Sequence, residues 1–196
     1  MGTCNFKAVE GVSVGMMAES ISAEDIENEL HEMAQDGYDD PTEDDAKARL
    51  ESQEQENISE AFSVAQVFAE KLKTWIGTVL PPVFEENDIE DFFYVVLKGG
   101  YYSGFQLYVE WDLDNAREEL EQCGVDGIEE VIAQVGNIKR TVEFLLVDYA
   151  FDNGLGITHG GWTGGVVYEC IADSWKSYYL TASKVLIKNF KAFMED

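Results

Sequence analysis

Nine apolar residues between Ile128 and Tyr149 hold one helical phase: Ile128, Val131, Ile132, Val135, Ile138, Val142, Leu145, Leu146 and Tyr149. A 3.6-residue period sustained over that length dictates a helix with one face in a core. It is the longest periodic signal in the chain and the element around which the rest must pack. Gly136 interrupts its propensity at a cost of about 1 kcal/mol relative to alanine, which points to a kink or a close approach there. Asp152-Asn153-Gly154 ends it.

Two further segments supply partners for that face. Phe62, Ala65, Phe68, Leu72, Trp75, Ile76 and Val79 recur at helical spacing until Pro81-Pro82 stops them. Near the C-terminus, Trp175, Tyr178, Tyr179, Ala182, Val185, Leu186 and Phe193 predict one last helix with a single apolar face. Two strands are expected between. Phe92–Leu97 is apolar on both faces, as a covered central strand requires. Gly104–Trp111 alternates, with Phe105, Leu107, Val109 and Trp111 facing inward. Gly99–Ser103 fits a hairpin loop between them. A helix over 113–122 follows, and a short strand is expected at 165–169 within a Gly-rich stretch. The first 18 residues look irregular. The expected fold class is α+β: a small antiparallel sheet packed by long helices and preceded by an acidic helical arm. The expected division is an acidic helical region over 1–80 and an aromatic-rich α+β core over 81–196.

Charge constrains the partner. The chain carries 39 acidic and 13 basic residues, a net charge of −26. Direct nucleic-acid binding needs Lys and Arg against phosphate, and docking on anionic lipid needs the same, so both are disfavoured. Basic proteins, and surfaces that normally hold nucleic acid, are the natural partners. The acids are concentrated: Glu19–Glu60 holds 16 of them against Lys47 and Arg49. Within it, Ser22 can cap a helix with Asp25 at the third position, and Ile21 can staple onto Ile26. That helix should reach about Gln35, with a thin stripe of Ile26, Leu30 and Met33. A second helix is expected from Pro41 at a first helical position. Over 43–56 it is charged nearly all round, hence an exposed helix or partly disordered, before the pattern changes past Asn57.

Chemistry-bearing motifs are sparse. Gly154-Leu155-Gly156-Ile157-Thr158-His159 opens like a dinucleotide loop, but His159 replaces the third glycine and the segment follows a helix. His31, His159 and the dispersed Cys4, Cys123 and Cys170 lack zinc spacing. The acids around Gly37 lack the order of a calcium loop. Cys170 and His159 are the best available nucleophile–base pair, flanking a glycine turn. Asn57-Ile58-Ser59 fits a glycosylation site only outside the cytoplasm, and Met1-Gly2 lacks the hydroxyl residue that an acylation site needs at position 6. Sparse cysteines, no apolar run of membrane-span length and no secretory leader point to a reducing cytoplasm. No cofactor or metal is expected.

In charge, size and absence of catalytic motifs, the whole chain resembles the DNA-mimic proteins that phages and plasmids use against restriction or CRISPR systems. The resemblance implies a non-enzymatic inhibitor of a basic nucleic-acid-handling protein. The carboxylates nominated for contact are Glu24, Asp25, Glu27, Glu29, Glu32, Asp39, Asp40, Glu43, Asp44, Asp45, Glu51 and Glu54. The alternative is an interaction or assembly protein, a homo-oligomer among the options, that uses loop aromatics Tyr101, Tyr102 and Trp162 while the acid serves solubility.

Overall fold

The computed structural model describes residues 4–8, 21–87, 89, 92–99, 105–153 and 168–195. Two capping boxes start the acidic helices. Helix α1 (Ala23–Gln35) begins at Ser22, whose hydroxyl accepts from the Asp25 N–H at 3.1 Å while Asp25 accepts from the Ser22 N–H at 2.9 Å. Helix α2 (Glu43–Val79) begins likewise at Thr42, with Asp45 in the reciprocal role. Each box satisfies orphan N–H groups of a first turn. Pro41 therefore precedes the cap and is not a first helical position, because Thr42 has the side chain that can cap and proline has none. The turn between the helices uses Gly37 at φ 87° and Asp40 at φ 53°; a short polar side chain tolerates that left-handed region.

Helix α2 has 37 residues, about 55 Å at 1.5 Å per residue. The change of pattern past Asn57 is not a break: no Gly or Pro occurs between Glu43 and Ile76, so nothing interrupts the backbone. The exposed, charged half and the apolar half are one helix. Leu80 is extended, as the residue before proline must be, and a single turn, α3 (Val83–Glu86), follows.

Strand β2 (Phe93–Gly99) is central. Strand β3 (Phe105–Trp111) pairs with it antiparallel, from Phe93↔Trp111 to Gly99↔Phe105. Strand β1 (Cys4–Ala8) pairs on its other edge in parallel, from Cys4↔Phe93 to Ala8↔Leu97. The expected antiparallel pair is present, and β1 corrects the reading of the first residues as irregular. Five residues carry too little alternation to register, and this strand is dictated by the edge it covers. Phe93, Val95 and Leu97 are fully buried and Val96 nearly so, as a strand covered on both faces demands.

Helix α2 packs on all three strands. Helices α4 (Leu113–Gln122) and α5 (Ile128–Asp152) follow, and α5 packs against β3 and α4. Gly136 faces Trp111, but a Cβ there would meet the indole at 3.7 Å, an ordinary contact, so the packing does not require a glycine. One apolar core joins Leu72, Trp75 and Ile76 of α2 to Val135, Ile138, Val142 and Leu145 of α5.

The C-terminal segment is two helices rather than one, α6 (Tyr168–Thr181) and α7 (Lys184–Glu195). Ser183 breaks it. Its N–H donates to Thr141 Oγ1 at 3.1 Å, its hydroxyl accepts from the Leu186 N–H at 3.4 Å, and its carbonyl accepts from Ile187. Ile187 and Phe190 consequently enter the core, and Val185, expected to face inward, is 78% exposed. Tyr168 and Glu169 are helical, which removes the end of the expected strand; 165–167 lie outside the described residues. Helix α6 is fastened to α5 by a hydrogen bond from Trp175 Nε1 to Asp148 at 2.7 Å, and α7 to α2 by one from Trp75 Nε1 to Asn189 at 2.6 Å.

Candidate partner-binding surface

Helix α1 packs on α2 and on no other described element, so residues 21–60 form a helical hairpin that stands off the core. Its seam is narrow, with Met33 and Ala46 buried in it. Arg49 fastens it. Its Nε lies 2.9 Å from Glu29 Oε1, its Nη2 donates to Asp36 at 3.1 Å, and its guanidinium sits 5.8 Å from the Tyr38 ring centre. The hydrogen bond to Asp36, with Glu29 and Asp36 adding their charge, raises the Arg49 pKa further above its usual value.

Glu29 is consequently placed apart from the other nominated acids. It is 5% exposed and holds α1 to α2 instead of facing outward. The spacing carried that signal: Glu29 is three positions after Ile26 and four before Met33, on the apolar stripe itself. Sequence reasoning also passed over Arg49, whose role depends on how the helices meet.

Glu24, Asp25, Glu27 and Glu32 are exposed on α1, and Asp39 and Asp40 on the turn. Glu43, Asp44 and Asp45 are exposed in the first turn of α2, where negative charge suits the helix dipole. Glu51 is exposed; so are Glu56 and Glu60, which were not nominated. Glu54 is helical, and its side chain lies outside the described residues. The hydrogen bond from the Ser22 hydroxyl, and then that from its N–H, holds Asp25 below the usual carboxylate range; Thr42 does the same to Asp45. At about 100° per residue, the exposed acids of α1 fall within about 160° of arc, opposite Met33. Those of α2 from Glu43 to Glu56 spread over about 220°. The exposed carboxylates therefore clothe the outside of the hairpin instead of forming a single row, and Glu29 is the nominated acid that lies in the seam.

Tyr101, Tyr102, Trp162 and His159 lie outside the described residues, as does the side chain of Cys170. Cys123 is a free, exposed thiol. Among the described residues, no group of three or more His, Cys, Asp or Glu side chains is placed to hold a metal ion, and no helix is long and apolar enough to cross a membrane. No protein-family model, curated protein or solved structure matches the chain.

Proposed function

We propose that this protein is a non-enzymatic inhibitor of the host-defence type, which presents the α1–α2 hairpin as a polyphosphate-like surface to a basic nucleic-acid-handling protein in the cytoplasm. One observation carries the reading: the acidic segment is folded back on itself and anchored in the core through α2. Residues 21–60 hold fifteen acids against Lys47 and Arg49, a net of −13, and Arg49 is engaged inside the hairpin. The α2 portion from Glu43 to Glu60 measures about 27 Å, so the hairpin carries about one negative charge per 2 Å of its axis. Duplex DNA carries one per about 1.7 Å. The fold-back thus brings a protein surface to the charge density of a duplex.

Charge on the outside of both helices suits a partner that encloses the hairpin, such as a positively lined cleft, more than one with a flat face. Attraction of this kind acts over about 8 Å at physiological salt and over about 3 Å at 1 M, so binding must weaken with added salt. The test is capture of binding proteins by the immobilised chain, with elution by duplex DNA. The charge-reduced variant has Glu24, Glu27, Glu32, Asp39, Asp40, Glu43, Asp44 and Glu51 changed to Gln or Asn and keeps the cap and clasp residues Asp25, Asp36 and Asp45. It should lose most of the capture, and duplex DNA should release what the native chain holds. Full capture by the charge-reduced variant, or complexes that duplex DNA cannot displace, overturns the reading.

A further inference from the structure

Within the C-terminal helices one stretch reverses the chain's charge, with Asp173 just before it and Glu195 just after it. Between Trp175 and Ala192 there are four lysines and no acid, in a protein of net charge −26. Two of the four are occupied. Lys184 lies 3.2 Å from the Tyr179 ring centre and donates to the Tyr179 carbonyl, and Lys191 Nζ is 3.9 Å from Asp148. Lys176 and Lys188 are exposed and have no acid within ion-pair distance among the described residues. Beside them are the two most exposed large apolar side chains described, Leu180 at 71% and Val185 at 78%. Lys176 and Leu180 are one turn apart on α6, and Val185 and Lys188 are one turn apart on α7, so each pair shares a helix face.

The hairpin of the same molecule cannot satisfy this corner. Asn189 of α7 is bonded to Trp75, and the hairpin's exposed acids on α2, from Glu60 back to Glu43, lie 15 to 32 residues back along the same helix from Trp75. Those separations are about 22–48 Å along the helix, more than two screening lengths at physiological salt. The acidic tip and the Trp75–Asn189 contact are thus separated along α2, and each surface is open to another molecule.

We propose that the α6–α7 corner docks the acidic hairpin of a second copy of this chain, with Lys176 and Lys188 against its carboxylates and Leu180 and Val185 against its helix. Such a head-to-tail contact is heterologous and can propagate beyond a dimer. Salt should act in both directions. At about 0.01 M the screening length is about 30 Å and the like net charges repel, whereas at about 0.15 M it is about 8 Å and the local attraction survives. At about 1 M the attraction itself is lost.

Sedimentation velocity from micromolar to millimolar protein tests this. Association above the mass of one chain should be strongest at intermediate salt and at least tenfold weaker at either extreme. The corner variant Lys176→Glu/Val185→Asp/Lys188→Glu should remain single, as should the hairpin variant Glu43→Gln/Asp44→Asn/Glu51→Gln. Mixed together, the two should form one-to-one pairs, because each retains the surface the other lacks. All these side chains are exposed, and Leu180→Ser alone serves if the triple corner variant does not fold. A single-chain mass under every condition overturns the proposal. So does association that neither variant alters, or a mixture that fails to pair. The corner variant should still capture the partner of the proposed inhibitory function, so either idea can fail without the other.

Discussion

Replacing Gly136 with alanine should make the protein more stable. Gly136 lies inside α5 and is not among the glycines held at positive φ, so an L side chain meets no backbone strain. The added Cβ would sit 3.6 Å from Arg140 Nη1, and 3.7 and 3.9 Å from two carbons of the Trp111 indole, all ordinary contact distances. Alanine gains about 0.8–1.0 kcal/mol over glycine in a helix interior, part of it from a less free unfolded chain. A methyl group half-buried against the indole adds a fraction of the roughly 0.8 kcal/mol that a fully buried CH₂ contributes. The sum, about 1–1.5 kcal/mol, corresponds to a rise in Tm of about 2–6 °C for a chain of this size. Thermal melting by circular dichroism measures it, and the urea midpoint should move up in step with an unchanged slope. Gly127→Ala is the opposing control. Its φ is +73° and its Cβ would lie 3.3 Å from Glu130 Oε2, so it should lose about 1–2 kcal/mol. A Gly136→Ala protein that melts lower than the native one would refute the reasoning, because the approach of Trp111 would then require the missing side chain. Shifts of the same sign in both variants would refute it equally.

Leu72→Ala empties a fully buried position where α2 meets the core and should cost about 2–5 kcal/mol, read from the urea midpoint. Arg49→Met should release α1 alone: hydrogen exchange over residues 23–35 should accelerate while α5 keeps its protection, and equal protection of α1 in both proteins counts against the Arg49 clasp. Ser22→Ala with Thr42→Ala should cost about 1 kcal/mol per cap near neutral pH. The folded pKa values of Asp25 and Asp45 are lowered, so the stabilisation they give is full above the unfolded Asp value of about 3.9 and is lost as pH falls through the lowered value. The carboxylate half of each box is therefore lost in acid, while the hydroxyl half, which accepts from the Asp N–H, persists. The stability difference between native and double variant, read from urea midpoints, should narrow without closing. A difference that does not narrow down to pH 2 (roughly two units below the unfolded Asp value) contradicts the reciprocal boxes.

The elements written in local chemistry were legible. Ser22 with Asp25, the double proline after Leu80, the both-faced apolar run of β2 and the long phase of α5 each name their own conformation. Three features depended on distant partners. Strand β1 exists because β2 has an edge to cover. Ser183 ends α6 because Thr141, 42 positions away in sequence, accepts its N–H. Glu29 stands on the apolar stripe by its spacing, but the charge that holds it there, Arg49, arrives from the next helix. Within the acidic segment, the run of carboxylates and the break between a helix ending near Gln35 and another starting near Pro41 could be read from the sequence, but the contacts that clasp the two helices together could not. That fold-back depends on a clasp between helices and on Gly37 and Asp40 adopting left-handed backbone.

The absence of any joint in α2 has a thermodynamic corollary. If the tip and the buried stem melt as one unit, whatever grips the tip must shift the unfolding of the entire molecule, by about 2.7 kcal/mol when the gripping species is a hundredfold above its Kd. Amides beside Trp75 would then exchange more slowly on occupation of a surface some tens of ångströms distant. A melting curve alone could therefore report occupancy, with no label and no knowledge of the species bound.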